Sequence, residues 1–353
     1  MTTNGVYSAK ERLKPIVTNV VGFFASDTFG YIMKRLLQAV LTLLLASALS
    51  FTIIQMAPGD YLSQLELNPQ ITPETIEAYA SQFGLDRHPV EQYFQWLLNV
   101  VINQDFGQSF IYGRSVTSLL AERIPATLLL SLSSIVITWA IAIPMGIIGA
   151  VHQNRFIDRF LRVFSYIGQG VPTLITGLLL LFLAQLTAPL FPVGDMVSVN
   201  SSDLTPFGKI IDILWHMILP TLALSLTGYA GLQRITRGEL LDVLRQDYIQ
   251  TARAKGLPEN KVIYIHALRN AVNPLITLLG FEFSSLLSGS FIIENFFNWP
   301  GLGRLSLQAV QAQDLYLVMA SLMMGAILLI IGNLLADLLL KFVDPRIKFS
   351  ELQ

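Results

Sequence analysis

The chain has 353 residues, of which 53% are hydrophobic and 13% charged, with a mean hydropathy of +0.56 and a formal net charge of −1. That composition excludes an ordinary soluble domain and points to the membrane. The absence of cysteine excludes disulfides, thiolate metal sites and a cysteine nucleophile, and basic residues spread over several segments leave no nucleic-acid footprint.

Residues 1–35 carry Lys10, Arg12, Lys14, Lys34 and Arg35 around a short apolar run at 16–25, and read as a cytoplasmic N-terminal segment. Thr18 and Asn19 interrupt that run and no small-x-small cleavage site follows, which disfavours a secretory leader. Six apolar stretches come next, at 36–56, 126–151, 161–186, 213–231, 274–293 and 317–342. Each is near the roughly 20 residues that cross a bilayer as helix. The fourth contains His216 and Pro220, which suit a face turned to other helices rather than to lipid. The reading is therefore an all-α membrane protein with six transmembrane helices. Lys and Arg divide 18 to 5 between alternate connections. By the positive-inside rule, both termini and the loop at 232–273 are cytoplasmic.

The connection at 58–125 is long enough to fold as a small outer helical cap, with eight acidic residues against three basic. Thr72 and Pro73 open a short helix that Gly84 closes. A second begins near Pro89, with Tyr93, Trp96, Leu97, Val100 and Val101 as its apolar stripe. The cap either receives a solute-binding protein or is a lid over loop backbone. In the third span, Gly168, Gly170 and Pro172 permit close packing and a kink, which serve a moving gate or packing alone. Only Glu282 and Asp337 fall clearly within spans, and a mid-bilayer carboxylate must face protein or a wet cavity. Glu282, with Ser285 on a neighbouring face, and Pro172 are the candidate pathway residues, while Asp337 reads as structural. Phe296, Phe297 and Trp299 read as an outer aromatic belt, followed by a tight turn at Pro300-Gly301-Leu302-Gly303-Arg304 that calls for permissive backbone.

The most informative stretch is 247–274, which is rich in Arg and Lys between apolar spans and reads as helix, break, helix. The first helix runs into Lys255 and stops at Gly256, with Pro258 preventing its resumption. A second begins near Pro258 and ends before Pro274.

Asp247-Tyr248, Thr251-Ala252-Arg253-Ala254-Lys255-Gly256-Leu257 and His266-Ala267-Leu268-Arg269-Asn270 resemble the cytoplasmic coupling loop of ABC importer permeases, closest to the dipeptide and oligopeptide branch. Ala57-Pro58-Gly59-Asp60, Phe83-Gly84-Leu85-Asp86, Asp105-Phe106-Gly107-Gln108-Ser109, Arg123-Ile124-Pro125-Ala126-Thr127, Trp299-Pro300-Gly301-Leu302-Gly303-Arg304 and Asp344-Pro345-Arg346 agree in order. The likeness covers roughly 30–350, with 36–353 as the permease domain, and is nearest to the half that has a long outer segment after its first span. It implies a multi-pass protein of the bacterial plasma (inner) membrane, assembled with a second homologous permease, two ATPase subunits and an extracytoplasmic binding protein. It also implies that Asp247, Tyr248, Ala252, Arg253, Lys255, Gly256, Leu257, His266, Arg269 and Asn270 form the ATPase-coupling surface. Two positions depart from the pattern: Gln250 stands where the general importer motif has Glu, and Pro258 where many relatives have a capping Ser.

No phosphate loop of the Gly-x-x-x-x-Gly-Lys-Ser/Thr type and no His-Glu-x-x-His occurs, and His88, His152, His216 and His266 are scattered. The expectation is a transport subunit rather than an enzyme, binding no cofactor itself, with ATP and Mg on the partner ATPases. The solute class stays open among dipeptides, oligopeptides, nickel and other small solutes. The competing reading, an ion-gradient-driven secondary transporter, calls for inverted repeats and midplane polar clusters, and no repeat is evident.

Overall fold

The computed structural model describes residues 27–66 and 70–343, without the side chains at 277, 280–289 and a few other helical positions. The reading of residues 1–26 lies outside the described residues. The described chain is almost wholly helical. α1 (Asp27–Met56) enters an outer segment formed by α2 (Tyr61–Glu66), α3 (Pro73–Phe83) and α4 (Pro89–Leu98). Then come α5 (Val116–Val151), α6 (Phe156–Gly170), α7 (Thr173–Leu186) and α8 (Pro206–Leu244). The loop after α8 holds α9 (Asp247–Ala254), α10 (Glu259–Lys261) and α11 (Leu268–Ala271), and the chain continues as α12 (Asn273–Phe296), α13 (Leu302–Gln311) and α14 (Leu315–Val343).

Among the described residues, four helical stretches are long and apolar enough to cross a membrane, within α1, α5, α8 and α14, and the pair α6–α7 makes a fifth candidate. The third predicted span is not one helix. It starts at Phe156 and breaks at Val171–Pro172, where the two axes differ by 100°, because the proline ring has no N–H to continue the ladder and disfavours helical geometry at Val171. The fourth is also different in extent. α8 has 39 residues and runs on to Leu244, well beyond the predicted end at 231. Arg234, Arg237 and Glu239 look like loop residues in sequence, but Gln233, Thr236 and Leu240 are buried on one face and hold this extension. His216 and Pro220 are buried, turned into the bundle.

α5 and α8 form the central pair. Gly146 makes their close approach possible: a Cβ there would lie 2.6 Å from Thr236 Cβ and 2.9 Å from the Gln233 carbonyl. α1 stands at the edge against α14, with Leu37, Leu41, Leu45 and Leu49 more than half exposed, as lipid-facing positions should be. The N-terminal end of α1 and the C-terminal part of α14 are joined where Asp337 accepts from Arg35 at 2.9 Å and from the Tyr31 hydroxyl at 2.5 Å. Asp337 therefore has the structural pairing expected of an intramembrane carboxylate.

The outer segment has the predicted helices, with Gly84 left-handed at φ +66 closing α3. Phe51, Trp96, Val100, Phe110, Leu315 and Met319 form its core. Val101 leaves the predicted stripe and is exposed, because a π turn over Asn99–Asn103 widens the helix there and carries it off the apolar face. Asp314, fully buried, anchors the segment by accepting from Ser109 Oγ at 2.6 Å and Phe110 N at 2.7 Å, while its other oxygen caps α14 through Leu317 N at 3.2 Å. Burial pushes this carboxyl above its ordinary range, against the pull of those donors.

The predicted aromatic belt is corrected. Phe297 and Trp299 are buried in a core with Ala126, Leu130, Met217 and Ile293, and the Trp299 indole N–H donates to the Ala126 carbonyl at 2.9 Å. A buried indole needs such an acceptor, and composition alone does not separate it from one facing headgroups. The turn after it is corrected too. Gly301 has φ −97 and ψ −179, open to any residue. What requires glycine is space, since the Glu294 carboxylate lies where a Gly301 Cβ would sit and a Gly303 Cβ would be 2.5 Å from Phe291 Cα. Fully buried Glu294 accepts from Gly303 N at 2.7 Å, Arg304 N at 3.2 Å and Thr127 Oγ1 at 2.7 Å, while Leu302 N donates to the same threonine at 2.7 Å. The free N–H groups at the start of α13 are thus satisfied by a carboxylate from α12 and a hydroxyl from α5.

Candidate coupling surface

The loop after α8 folds back onto the C-terminal ends of α5 and α8. Two residues separate the end of α8 from the start of α9, whose first turn holds Asp247, where a negative charge is favoured. Ile249 and Ala252 point inward to a core containing Ile147, Ala150, Leu240, Val262, Ile263, Ala267 and Ala271. Gly256 then takes φ +73, and Gly256 N and Leu257 N return to the carbonyls of Arg253 and Ala252 at 2.9 and 3.4 Å. Leu257 packs at the edge of the same core. Pro258, with φ −64, precedes α10, and after a π turn over Val262–Ala267 and α11 the chain enters α12 with Pro274 in its first turn.

Two polar links fix the angle between the arms. Arg253 donates from Nη2 and Nε, one edge of its guanidinium, to the two carboxylate oxygens of Glu259, at 2.7 and 3.2 Å. This bond holds the Glu259 carboxyl below its ordinary range and raises Arg253. Asn270 donates to the Tyr248 hydroxyl at 2.9 Å, tying α9 to α11. With its inner face packed and its ends tied, α9 presents an outer ridge of exposed Asp247, Tyr248, Gln250, Thr251, Ala254 and Lys255. The α9 ridge is thus exposed on one side and fixed on the other. Among the described residues, no group of three or more His, Cys, Asp or Glu side chains is gathered to hold a metal ion.

Residues 142–349 match the model of the binding-protein-dependent transport system inner membrane component family, and 28–132 match the N-terminal model of the corresponding membrane component. The chain belongs to this family. It is an ABC importer permease, a transport component of the membrane. The permease is 40% identical over 321 residues to the oligopeptide transport system permease protein AppB of Bacillus subtilis, covering 91% of this chain and 99% of the relative. It is 36% identical over 323 residues to the glutathione transport system permease protein GsiC of Escherichia coli, covering 91% and 99%. A putative peptide transport system permease protein of Brucella abortus is 36% identical over 319 residues, covering 90% and 99%. Among solved structures, the methionine ABC transporter MetNI in an inward-facing conformation aligns with a TM-score of 0.49 and 16% identity, over 64% of this chain and 97% of that one.

In the permease, the sequence-predicted coupling residues all lie on the α9–α11 unit, but not on one face. Asp247, Tyr248, Lys255, Gly256, Arg269 and Asn270 are exposed, Arg253, Leu257 and His266 half-buried, and Ala252 buried beneath them. Ala252 thus sets how closely α9 seats on its mount. Arg253 is engaged within the loop by Glu259. Of the pathway candidates, Pro172 is exposed at the break between α6 and α7. Glu282 and Ser285 belong to α12, and their side chains lie outside the described residues. Sequence reasoning missed Asp158, Glu294 and Asp314, each of which has a partner far away in the chain, Arg237, Thr127 and Ser109 respectively. Only Glu294 carried a local sign, an acid shortly before a Pro-Gly-x-Gly turn.

Proposed function

We propose that this permease is one of two similar membrane halves of an ATP-driven importer for peptides or peptide-like solutes. It crosses a bacterial inner membrane six times, with both termini cytoplasmic. A binding protein delivers the solute to the outer segment at 58–125, and two ATPase subunits dock at the loop within 232–273. ATP and Mg are bound by those subunits, which carry out the hydrolysis, and this chain binds no cofactor. The relatives named for oligopeptide and glutathione transport support the peptide class. The observation that carries the reading is the packed, tied mount of α9 with an exposed outer ridge.

In the cycle, ATPase closure pushes on α9 through Asp247, Tyr248, Lys255 and their neighbours, and the stiff joint at Gly256 passes the push to α5 and α8 rather than dissipating it in loop bending. The two permeases then alternate between inward-open and outward-open states, with Glu282, Ser285 and Pro172 along the pathway. The test is purification in mild detergent followed by identification of bound chains, then uptake into vesicles. Recovery of an ATPase and a second permease, with uptake requiring ATP, is the expected result. Uptake by this chain alone on an ion gradient would replace the reading with secondary transport.

A further inference from the structure

About two turns before α8 ends, Arg237 reaches across to the first turn of α6 and grips Asp158 with two N–H groups of one guanidinium edge, Nε and Nη2, at 2.6 and 2.9 Å. Asp158 is fully buried, and also accepts from Asn154 N at 2.8 Å. Arg162 stands 3.6 Å away as a second cation. One helical step further along, Ser165 donates to Gln233 at 2.7 Å. Gly149 of α5 leaves room for the grip: a Cβ there would lie 3.3 Å from Arg237 Cδ and 3.4 Å from the Asp158 carboxylate. At this end, α6 is therefore fastened to α8 by charged and polar bonds, beyond which Phe164 packs on Tyr229, whereas α5 meets α8 mainly by close packing at Gly146, with a single polar bond from Ser225 Oγ to the Ser134 carbonyl at 3.2 Å.

The fastening is placed between two mechanical parts. On one side, Leu240 of α8 lies in one core with Ile249 of α9, so displacement of α9 moves this end of α8. On the other, α6 leads to the non-helical pair Val171–Pro172, where the 100° bend lies, and the Cβ position of Gly170 is empty for 4 Å around. Apolar helix contacts absorb small displacements by sliding. A forked guanidinium–carboxylate pair has one geometry and passes the displacement on.

We propose that Asp158 and Arg237 are positioning residues that transmit movement of the coupling loop to α6, which pivots against α7 at Val171–Pro172. This rests on the coupling role given to α9 above. It assigns the bent pair, rather than the bundle as a whole, as the first part of the membrane domain to respond.

The test uses the complete complex, with its ATPases, second permease and binding protein, in proteoliposomes, and measures solute uptake per ATP hydrolysed. Asp158→Asn is expected to assemble, to keep ATPase stimulation by the loaded binding protein, and to lose at least about fivefold in uptake per ATP, the lower range of site-to-site coupling. The apolar pair Asp158→Leu/Arg237→Met keeps the packing without the fork, and the same loss is expected there. The proposal is overturned by wild-type uptake per ATP in either variant. It is equally overturned by a parallel fall in uptake and hydrolysis, or by loss of assembly in both variants, each of which marks a purely structural pair. Gly256→Val separates the two readings: if it keeps its ATPase subunits, the coupling role of α9 fails, whereas wild-type coupling in Asp158→Asn beside a defective Gly256→Val removes only the transmission step.

Discussion

Gly256 is the position where a single backbone angle decides the shape of the coupling surface. At φ +73, an L-residue pays about 1–2 kcal/mol, and a β-branched one pays more because its side chain is stiff at χ1. No atom lies within 4 Å of where a Cβ would be, so the penalty is purely conformational. If Gly256→Val escapes by changing the turn, it gives up the return bonds to Arg253 and Ala252 and separates Arg253 from Glu259. A cost of one or two kcal/mol lowers the population of the docking-competent loop by a factor of about 5–30. Gly256→Asn should cost much less, because asparagine tolerates the left-handed region. The assay is co-purification of the ATPase subunits together with cellular uptake, at matched membrane levels of the permease. Val is expected to lower both several-fold, Ala to fall between, and Asn to stay near the parent. Normal behaviour of Val would refute the argument, and so would an Asn variant as defective as Val, since that would make side-chain size rather than φ the cause.

Glu294→Leu should strip acceptors from Gly303 N, Arg304 N and Thr127 Oγ1, at about 1–3 kcal/mol for each buried donor left unsatisfied, and should show as a lower melting temperature in detergent. Asp314→Ala should release the 109–111 backbone from the start of α14 and make the peptide bonds around 104–115 sensitive to added protease, while the Tyr316–Phe83 bond still holds α3. The Arg253–Glu259 pair has a sign that can be worked out. The Glu259 carboxyl is held below its ordinary value, so the pair's contribution is complete above that value and is lost as pH falls through the lowered one. Both groups are more than a third exposed, so the effect is at most about 1 kcal/mol and should shrink in salt. Lower protection factors over 247–261 at acid pH, after correction for the intrinsic exchange rate, or at high salt near neutrality, are the expected observation, and unchanged protection factors under all conditions would contradict it.

The parts legible in the sequence are those written in local punctuation. Gly256 and Pro258 marked the break in the coupling loop, and Thr72, Pro73, Gly84 and Pro89 marked α3 and α4, because caps and prolines act within a turn or two. The interhelical polar bonds were illegible, because Asp158 and Arg237 are 79 positions apart and Thr127 and Glu294 are 167 apart. The inner extension of α8 was misread for the same reason: Arg237 looks solvated until its partner is known. Trp299 failed differently, since an aromatic residue at a span's end is equally at home against headgroups or inside a bundle.

α14 is held at both extremities by buried or half-buried carboxylates, Asp314 gripping the outer segment and Asp337 gripping α1. With Tyr316 also donating to the Phe83 carbonyl at 2.6 Å, α1, α14 and the whole cap are clamped into one frame. A tilt imposed at one end of that frame is therefore carried to its other end through α1 and α14 themselves, with no need for the α5–α8 pair to relay it.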